Sequence, residues 1–408
     1  MKKTWKRILT VLLTGSTMLS LAACGTGNST ATTAVKTTAA TTKAAVTTQA
    51  AASTTKAASA TTKAAAATAT TKAASATTKA ASSGTAEKPK ASGKKLRVGT
   101  MANSLGLPVH QADIAGYFKA AGLDVDIQIF ATGAPINEAM AAGSLDVAVS
   151  GMASVYGLAT GMYTYVGDGV ITKGGEAIYA RADSKIAKAG KNTKGIIGSA
   201  ETVKGCSILG PLATTAHYQA INYVQSFGLK TEDFSMVSMD YAQAYQAFIS
   251  GQGDLVAEKM PYTNQLQEAG YVCVCDMNLV NSNPIVDTIF VQNAIAKDRK
   301  NDVELFLDCY YRACADLMKD EANRRKVAQA WYADEGIKYS QSDMDSEVSV
   351  KDYYTLETVD TKSGLGSFMI DIGKFFNTQN MISNEDLPKV EKSIDKSFLQ
   401  DVKKWSGK

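Results

Sequence analysis

Serine and threonine recur in this sequence where an apolar run ends and a helix-like stretch begins, and hydroxyls at such junctions can hold a small oxyanion. Four stretches have this form. They are Asn103-Ser104-Leu105-Gly106-Leu107-Pro108, Ala131-Thr132-Gly133-Ala134-Pro135, Ser150-Gly151-Met152-Ala153-Ser154 and Gly210-Pro211-Leu212-Ala213-Thr214-Thr215-Ala216-His217. A helix start presents free backbone amides and the positive end of its dipole, which add to the side-chain donors. The plainer account of each junction is an N-cap, which Ser and Thr supply whatever the function. No arginine falls in these loops, which disfavours a strongly charged anion such as phosphate and leaves a sulfonate, nitrate or neutral heterocycle open. Glu258 closes the run Leu255-Val256-Ala257, where it faces either the same cleft or solvent; buried in a cleft it would favour a cationic amine. The two histidines, His110 and His217, stand far apart with no Cys-x-x-Cys nearby, so neither a zinc site nor any other cofactor is expected.

Alternating strands and helices must position these loops. Lys95–Thr100 is a short strand, Pro108–Ala121 a helix with proline in its first turn, Leu123–Phe130 a strand, Pro135–Ala142 a helix and Leu145–Val149 an apolar strand. This order implies βαβ units and a largely parallel sheet. The unit returns: Ala139-Met140-Ala141-Ala142-Gly143-Ser144-Leu145-Asp146-Val147 aligns with Ala247-Phe248-Ile249-Ser250-Gly251-Gln252-Gly253-Asp254-Leu255, each a helix ending at glycine and an aspartate preceding a strand. About 315 residues beyond the amino-terminal segment exceed what one core usually serves, so two lobes are expected. The runs Ala177–Arg181 and Ile285–Val291 are placed to cross between them. Lobe 1 is then 94–180 with 290–408, and lobe 2 is 181–289. The apolar stripe of Val303–Met318 packs a helix back onto a sheet.

The first 93 residues are of another kind. A basic start, Met1-Lys2-Lys3-Thr4-Trp5-Lys6-Arg7, precedes an apolar run from Ile8 to Leu21, shorter than the ~20 residues of a membrane span. Ala22-Ala23-Cys24-Gly25 follows, so residues 1–23 read as a lipoprotein signal peptide and Cys24 as the lipidated residue. Residues 24–93 are nearly all Ala, Thr, Ser and Lys, with Thr-Thr-Lys-Ala-Ala five times from Thr41 to Thr77. With no aromatic residue, this segment reads as a tether. Residues 1–95 hold 14 basic residues and one acid, and the remaining 29 basic and 38 acidic residues give the rest −9. A body this acidic argues against a nucleic-acid partner. Cys206, Cys273, Cys275, Cys309 and Cys314 are expected as buried thiols, with Cys273 and Cys275 on one face of a strand.

From Leu96 almost to the end, the sequence resembles the solute-binding proteins of ABC importers for taurine, aliphatic sulfonates and nitrate, a group with relatives that bind pyrimidine precursors of thiamine. The resemblance rests on Leu107-Pro108-Val109, on Gly116-Tyr117-Phe118-Lys119-Ala120-Ala121-Gly122-Leu123-Asp124-Val125, and on Ala142-Gly143-Ser144-Leu145-Asp146-Val147. Thr214-Thr215-Ala216-His217-Tyr218, Pro261-Tyr262 and Ile394-Asp395-Lys396-Ser397-Phe398-Leu399 continue it. It implies an α/β, two-lobed type II periplasmic-binding-protein-like fold with two crossover hinge strands. It also implies a ligand between the lobes near Ser104, Thr132, Gly133, Ser150, Met152, Thr214, Thr215 and His217. The implied partners are a small solute, foremost a sulfonate-, taurine- or nitrate-like anion, an ABC permease with its ATPase, and the membrane through lipid on Cys24. The chain would be a monomer on the outer side of the cytoplasmic membrane and not an enzyme. The alternatives are a thiamine-pyrimidine-synthesis enzyme on the same fold or a ligand-sensing receptor subunit. One departure stands out: Lys259-Met260-Pro261-Tyr262 lacks the Trp and acid that related proteins carry before Pro-Tyr, which removes an aromatic wall and a carboxylate.

Overall fold

Eleven strands are distributed over two sheets in the computed structural model, which describes residues 87–281, 283–361 and 364–408. The expected signal peptide, Cys24 and nearly all of the expected tether lie outside the described residues. The strands are β1 Lys95–Thr100, β2 Asp124–Ile129, β3 Val147–Ser150, β4 Tyr163–Thr172, β5 Glu176–Ala180, β6 Ser207–Gly210, β7 Ser235–Ser238, β8 Leu255–Lys259, β9 Val272–Asp276, β10 Ile285–Gln292 and β11 Lys351–Tyr353. One sheet runs β11-β4-β10-β3-β1-β2 and the other β7-β6-β8-β5-β9.

The two sheets share one plan. In the first, β1 lies parallel between β2 and β3, and β10 runs antiparallel between β3 and β4. In the second, β6 lies parallel between β7 and β8, and β5 runs antiparallel between β8 and β9. The sequence repeat marks equivalent positions. Gly143 and Gly251 end their helices at φ 69° and 97°, which glycine adopts without strain. The aspartate three residues later then reaches the neighbouring parallel strand: Asp146 Oδ2 accepts from Arg97 N at 2.9 Å, and Asp254 Oδ2 accepts from Ser207 N at 2.8 Å. Each turn therefore locks its own parallel pair.

The expected elements are present with shifted ends. The long helix after β1 is divided into Leu107–Ile114 and Tyr117–Ala120. The run at 177–181 is a fully buried strand of the second sheet, and the run at 285–291 is a strand of the first. The chain thus passes between sheets at 173–175 and returns between β9 and β10. Strand 176–180 pairs with β8 and β9 of the second sheet, and strand 285–292 pairs with β3 and β4 of the first.

The first sheet is backed by the Lys300–Lys319 helix, whose Phe306, Leu307, Tyr310 and Tyr311 are buried. The second has a separate core around Ile178, Ile208, Tyr223 and Leu255. The chain is already fixed before residue 94: Lys88 pairs with Asp308 at 3.0 Å, and Ser92 N donates to Asp302 at 2.7 Å. Cysteine placement differs from expectation at one residue. Tyr179 pairs with Cys273 and Ile178 with Cys275, so Val274 is an extra residue in a bulge, and the two thiols point to opposite faces. Cys275 is buried and Cys273 is exposed. Among the described residues no helix is long and apolar enough to cross a membrane.

Candidate functional site

All four hydroxyl-bearing junctions open onto one cleft between the sheets, about 730 Å³ including the part open to solvent. Ser104, Thr132, Gly133, Met152, Thr214 and Thr215 line it. Two helices begin there, Gly133–Ala141 and Thr215–Gln225, one behind each sheet. Thr132 and Thr214 occupy the two cap positions, yet neither side chain bonds to its helix's free amides. Thr214 Oγ1 instead donates to Pro211 O at 2.8 Å, and Thr215 Oγ1 lies 3.3 Å from Tyr241 Oη. The ordinary capping explanation therefore does not account for these threonines. Gly133 allows the close approach: a Cβ there would stand 2.6 Å from the Ala153 Cβ and 3.1 Å from Ser150 Oγ.

Three of the expected residues do not line the cleft. Ser150 lies beneath Gly133 in β3, fully buried, its Oγ without a hydrogen-bond partner. His217 belongs to its own helix start, where Nδ1 accepts from Ala213 N at 3.3 Å, and burial lowers its pKa to about 4. Glu258 is buried away from the cleft, and neither carboxylate oxygen has a hydrogen-bond partner. That desolvation raises its pKa well above the ordinary carboxylate range. Strand alternation is the reason: residue 258 and residue 259 point to opposite faces, and Lys259 is the one that enters the cleft.

The cleft also holds charges that sequence reasoning did not single out. Glu176, Asp287, Glu347, Lys259 and Lys351 line it with Tyr241 and Tyr339. Thus carboxylates and aromatic walls are present after all, with Glu176 and Asp287 supplied by strands, Tyr241 and Glu347 by helices and Tyr339 by a loop. Glu347 accepts from the hydroxyls of Tyr332, at 2.8 Å, and Tyr339. Lys351 Nζ donates to Thr172 Oγ1 at 2.9 Å. By contrast, the side chains of Glu176, Asp287 and Lys259 have no hydrogen bond to any described residue and no ion pair within 4.0 Å. Lys259 only stands over the Tyr241 ring, 4.6 Å from its centroid. Burial pushes the Asp287 carboxyl up to about 7 against the opposing pull of Lys351. Burial likewise lowers the pKa of the Lys259 ammonium, with Glu176 opposing. The signal for two of these was a charge in an otherwise apolar strand: Glu176 opens Glu-Ala-Ile-Tyr-Ala, and Asp287 sits within Ile-Val-Asp-Thr-Ile-Phe-Val.

Residues 89–332 match the model of the NMT1-like family. The chain belongs to the NMT1-like family. A relative in Brachyspira hyodysenteriae, assigned as an ABC transporter periplasmic binding protein, is 27% identical over 281 residues, which is 68% of this chain and 81% of that protein. Among solved structures, the alkanesulfonate-binding protein SsuA of Xanthomonas axonopodis pv. citri, bound to MOPS, superposes with a TM-score of 0.59 at 17% identity, covering 76% of this chain and all of SsuA. The periplasmic nitrate-binding protein NrtA of Synechocystis superposes with a TM-score of 0.62 at 12% identity, covering 77% of this chain and 89% of NrtA. At these identities the likeness is one of fold, and that fold is the two-sheet α/β architecture of periplasmic binding proteins, as the sequence resemblance implied.

Among the described residues no group of three or more His, Cys, Asp or Glu side chains is arranged to hold a metal ion. Burial pushes the Cys206 and Cys309 thiols up to about 12, which disfavours the thiolate a nucleophile needs.

Proposed function

We propose that this member of the NMT1-like family is the extracytoplasmic solute-binding protein of an ABC importer, held at the outer face of the membrane by lipid on Cys24. It captures a small solute between lobe 1 and lobe 2 and delivers it to the permease and its ATPase. The observation that carries this reading is the cleft itself, where loops from both sheets converge and the buried carboxylates of Glu176 and Asp287 and the half-buried ammonium of Lys259 have no hydrogen bond or ion pair among the described residues. Buried charges are costly unless paired, so a site of this kind is completed by what enters it. The raised Cys206 and Cys309 thiols offer no poised thiolate, in keeping with binding rather than nucleophilic catalysis.

Binding works by closure. The links between β4 and β5 and between β9 and β10 are the hinge, and a solute touching both lobes shifts the open and closed populations in proportion to its extra contacts in the closed form. Ser104, Thr132, Gly133, Met152, Thr214 and Thr215 form a wall around the solute, with Ser150 packed beneath Gly133. Deleting the gene and measuring uptake of the solute retained by the protein tests the role. Loss of uptake is expected; unchanged uptake with a lost transcriptional response would instead favour a sensing subunit.

A further inference from the structure

We infer that the solute carries a protonated amine, which enters between Glu176 and Asp287, and that this cleft therefore selects amine-bearing solutes over simple anions of similar size. The inference rests on the solute-binding reading above and concerns the chemistry of the same site.

Charge bookkeeping at the cleft leads to it. Three carboxylates and two ammonium groups line the cavity. Glu347 is satisfied by two tyrosine hydroxyls and Lys351 by Thr172. The groups left over are Glu176 and Asp287, each 7% exposed, and Lys259. Glu176 and Lys259 are register partners on adjacent antiparallel strands, so they lie on one face of the second sheet. Asp287 comes from β10 in the first sheet, with Oδ1 3.3 Å from where a Cβ on Gly151 would stand. The unpaired remainder is two carboxylates against one ammonium, contributed by both lobes. A cation brought between Glu176 and Asp287 neutralises that excess and bonds to each lobe at once.

A simple anion would meet only half of this site. Lys259 and the two helix starts at Thr132 and Thr214 suit a negative or carbonyl end. Such an anion would leave both carboxylates buried and unpaired, at the full desolvation cost. Burial already raises the Asp287 carboxyl to about 7, the direction this cost dictates. Room for the rest of the solute lies in an adjoining chamber that shares Tyr241, Lys259, Met260 and Tyr339 with the cleft and adds Phe130 and Tyr262 to its walls. Its further charges, Asp240 and Glu335, are again acidic.

Matched pairs that exchange an amine for a hydroxyl test the inference on the full chain without any mutation. Titration calorimetry would compare taurine with isethionate, β-alanine with 3-hydroxypropionate, and tyramine with tyrosol, with nitrate as the plain anion. The expected result is that binding is found among the amines and falls at least ten-fold in the hydroxyl twin. Glu176→Gln and Asp287→Asn, both near-isosteric, should each weaken the amine at least ten-fold. Nitrate or a hydroxyl twin binding as tightly as its amine would overturn the inference and leave the solute-binding reading intact. Binding by no member of the panel would count against both.

Discussion

Glu258 and Lys259 are neighbours in sequence with opposite situations in the structure. Lys259 enters the cleft beside Tyr241, while Glu258 carries a carboxyl into an interior that offers neither oxygen a hydrogen bond. Replacing an orphaned buried acid with an apolar side chain of similar length removes a desolvation penalty, so Glu258→Met should stabilise the protein by about 1–3 kcal/mol in urea denaturation. A destabilised variant would mean that Glu258 has a partner. Asp287 gives a pH dependence. Its folded pKa of about 7 lies above the ordinary carboxylate value. The stability it contributes is therefore full below that ordinary value and is lost as pH rises through 7. Glu176, Lys259 and Lys351 surround it and set the balance. The unliganded protein should lose up to about 4 kcal/mol between pH 4 and pH 8 from this group, and Asp287→Asn should remove that slope. Equal slopes in the two proteins would place the carboxyl in a wetter setting. At this scale the hydroxyl loops were legible, because Ser and Thr before a helix are a local signal. The charges were not, because the facing of a charged residue in a strand depends on which sheet it joins.

Among the elements, the turn repeated about 108 residues apart is the most informative. It was legible from glycine and aspartate spacing, and the structure gives the spacing a cause: each aspartate clasps the strand beside its own. The two copies differ in what else they hold. Asp146 also receives Arg97 Nη2 at 2.5 Å and lies 3.6 Å from Arg299, and its pKa is lowered by these partners against desolvation. Asp254 has only the Ser207 backbone amide and hydroxyl, and this setting is exposed. Asp146→Asn should therefore cost about 2–4 kcal/mol and Asp254→Asn about 1 kcal/mol, as shifts in the urea midpoint at constant slope. Equal costs would show that the arginines add nothing. Sheet membership was less legible than strand existence. Apart from Glu176, Asp287, Thr288 and Gln292 the strands at 176–180 and 285–292 are apolar, and an apolar run states that it is buried without stating between which neighbours.

Over the whole molecule, the contacts that join the lobes lie on both sides of the cleft. Tyr339 Oη donates to Met260 O at 3.1 Å and Asn264 Nδ2 to Asp343 Oδ1 at 3.0 Å, while across the other side Thr231 Oγ1 donates to Gln379 Oε1 at 2.6 Å and Tyr218 packs on Phe375. These few polar contacts are weak enough individually to part and numerous enough to define a closed form. The overall plan was legible because 315 residues need two cores and the repeat supplied two similar halves. The far carboxyl-terminal contributions to the cleft, Tyr339, Glu347 and Lys351, were not, since nothing local marks a residue that reaches the site only after the chain has returned to the first sheet. The most direct test is a crystal structure of the protein with its retained solute. The account predicts solute density bounded by Glu176, Asp287, Lys259, Thr132 and Thr214, with a nitrogen between the two carboxylates. Density for the solute elsewhere, or an empty cleft beside an occupied surface, would contradict it.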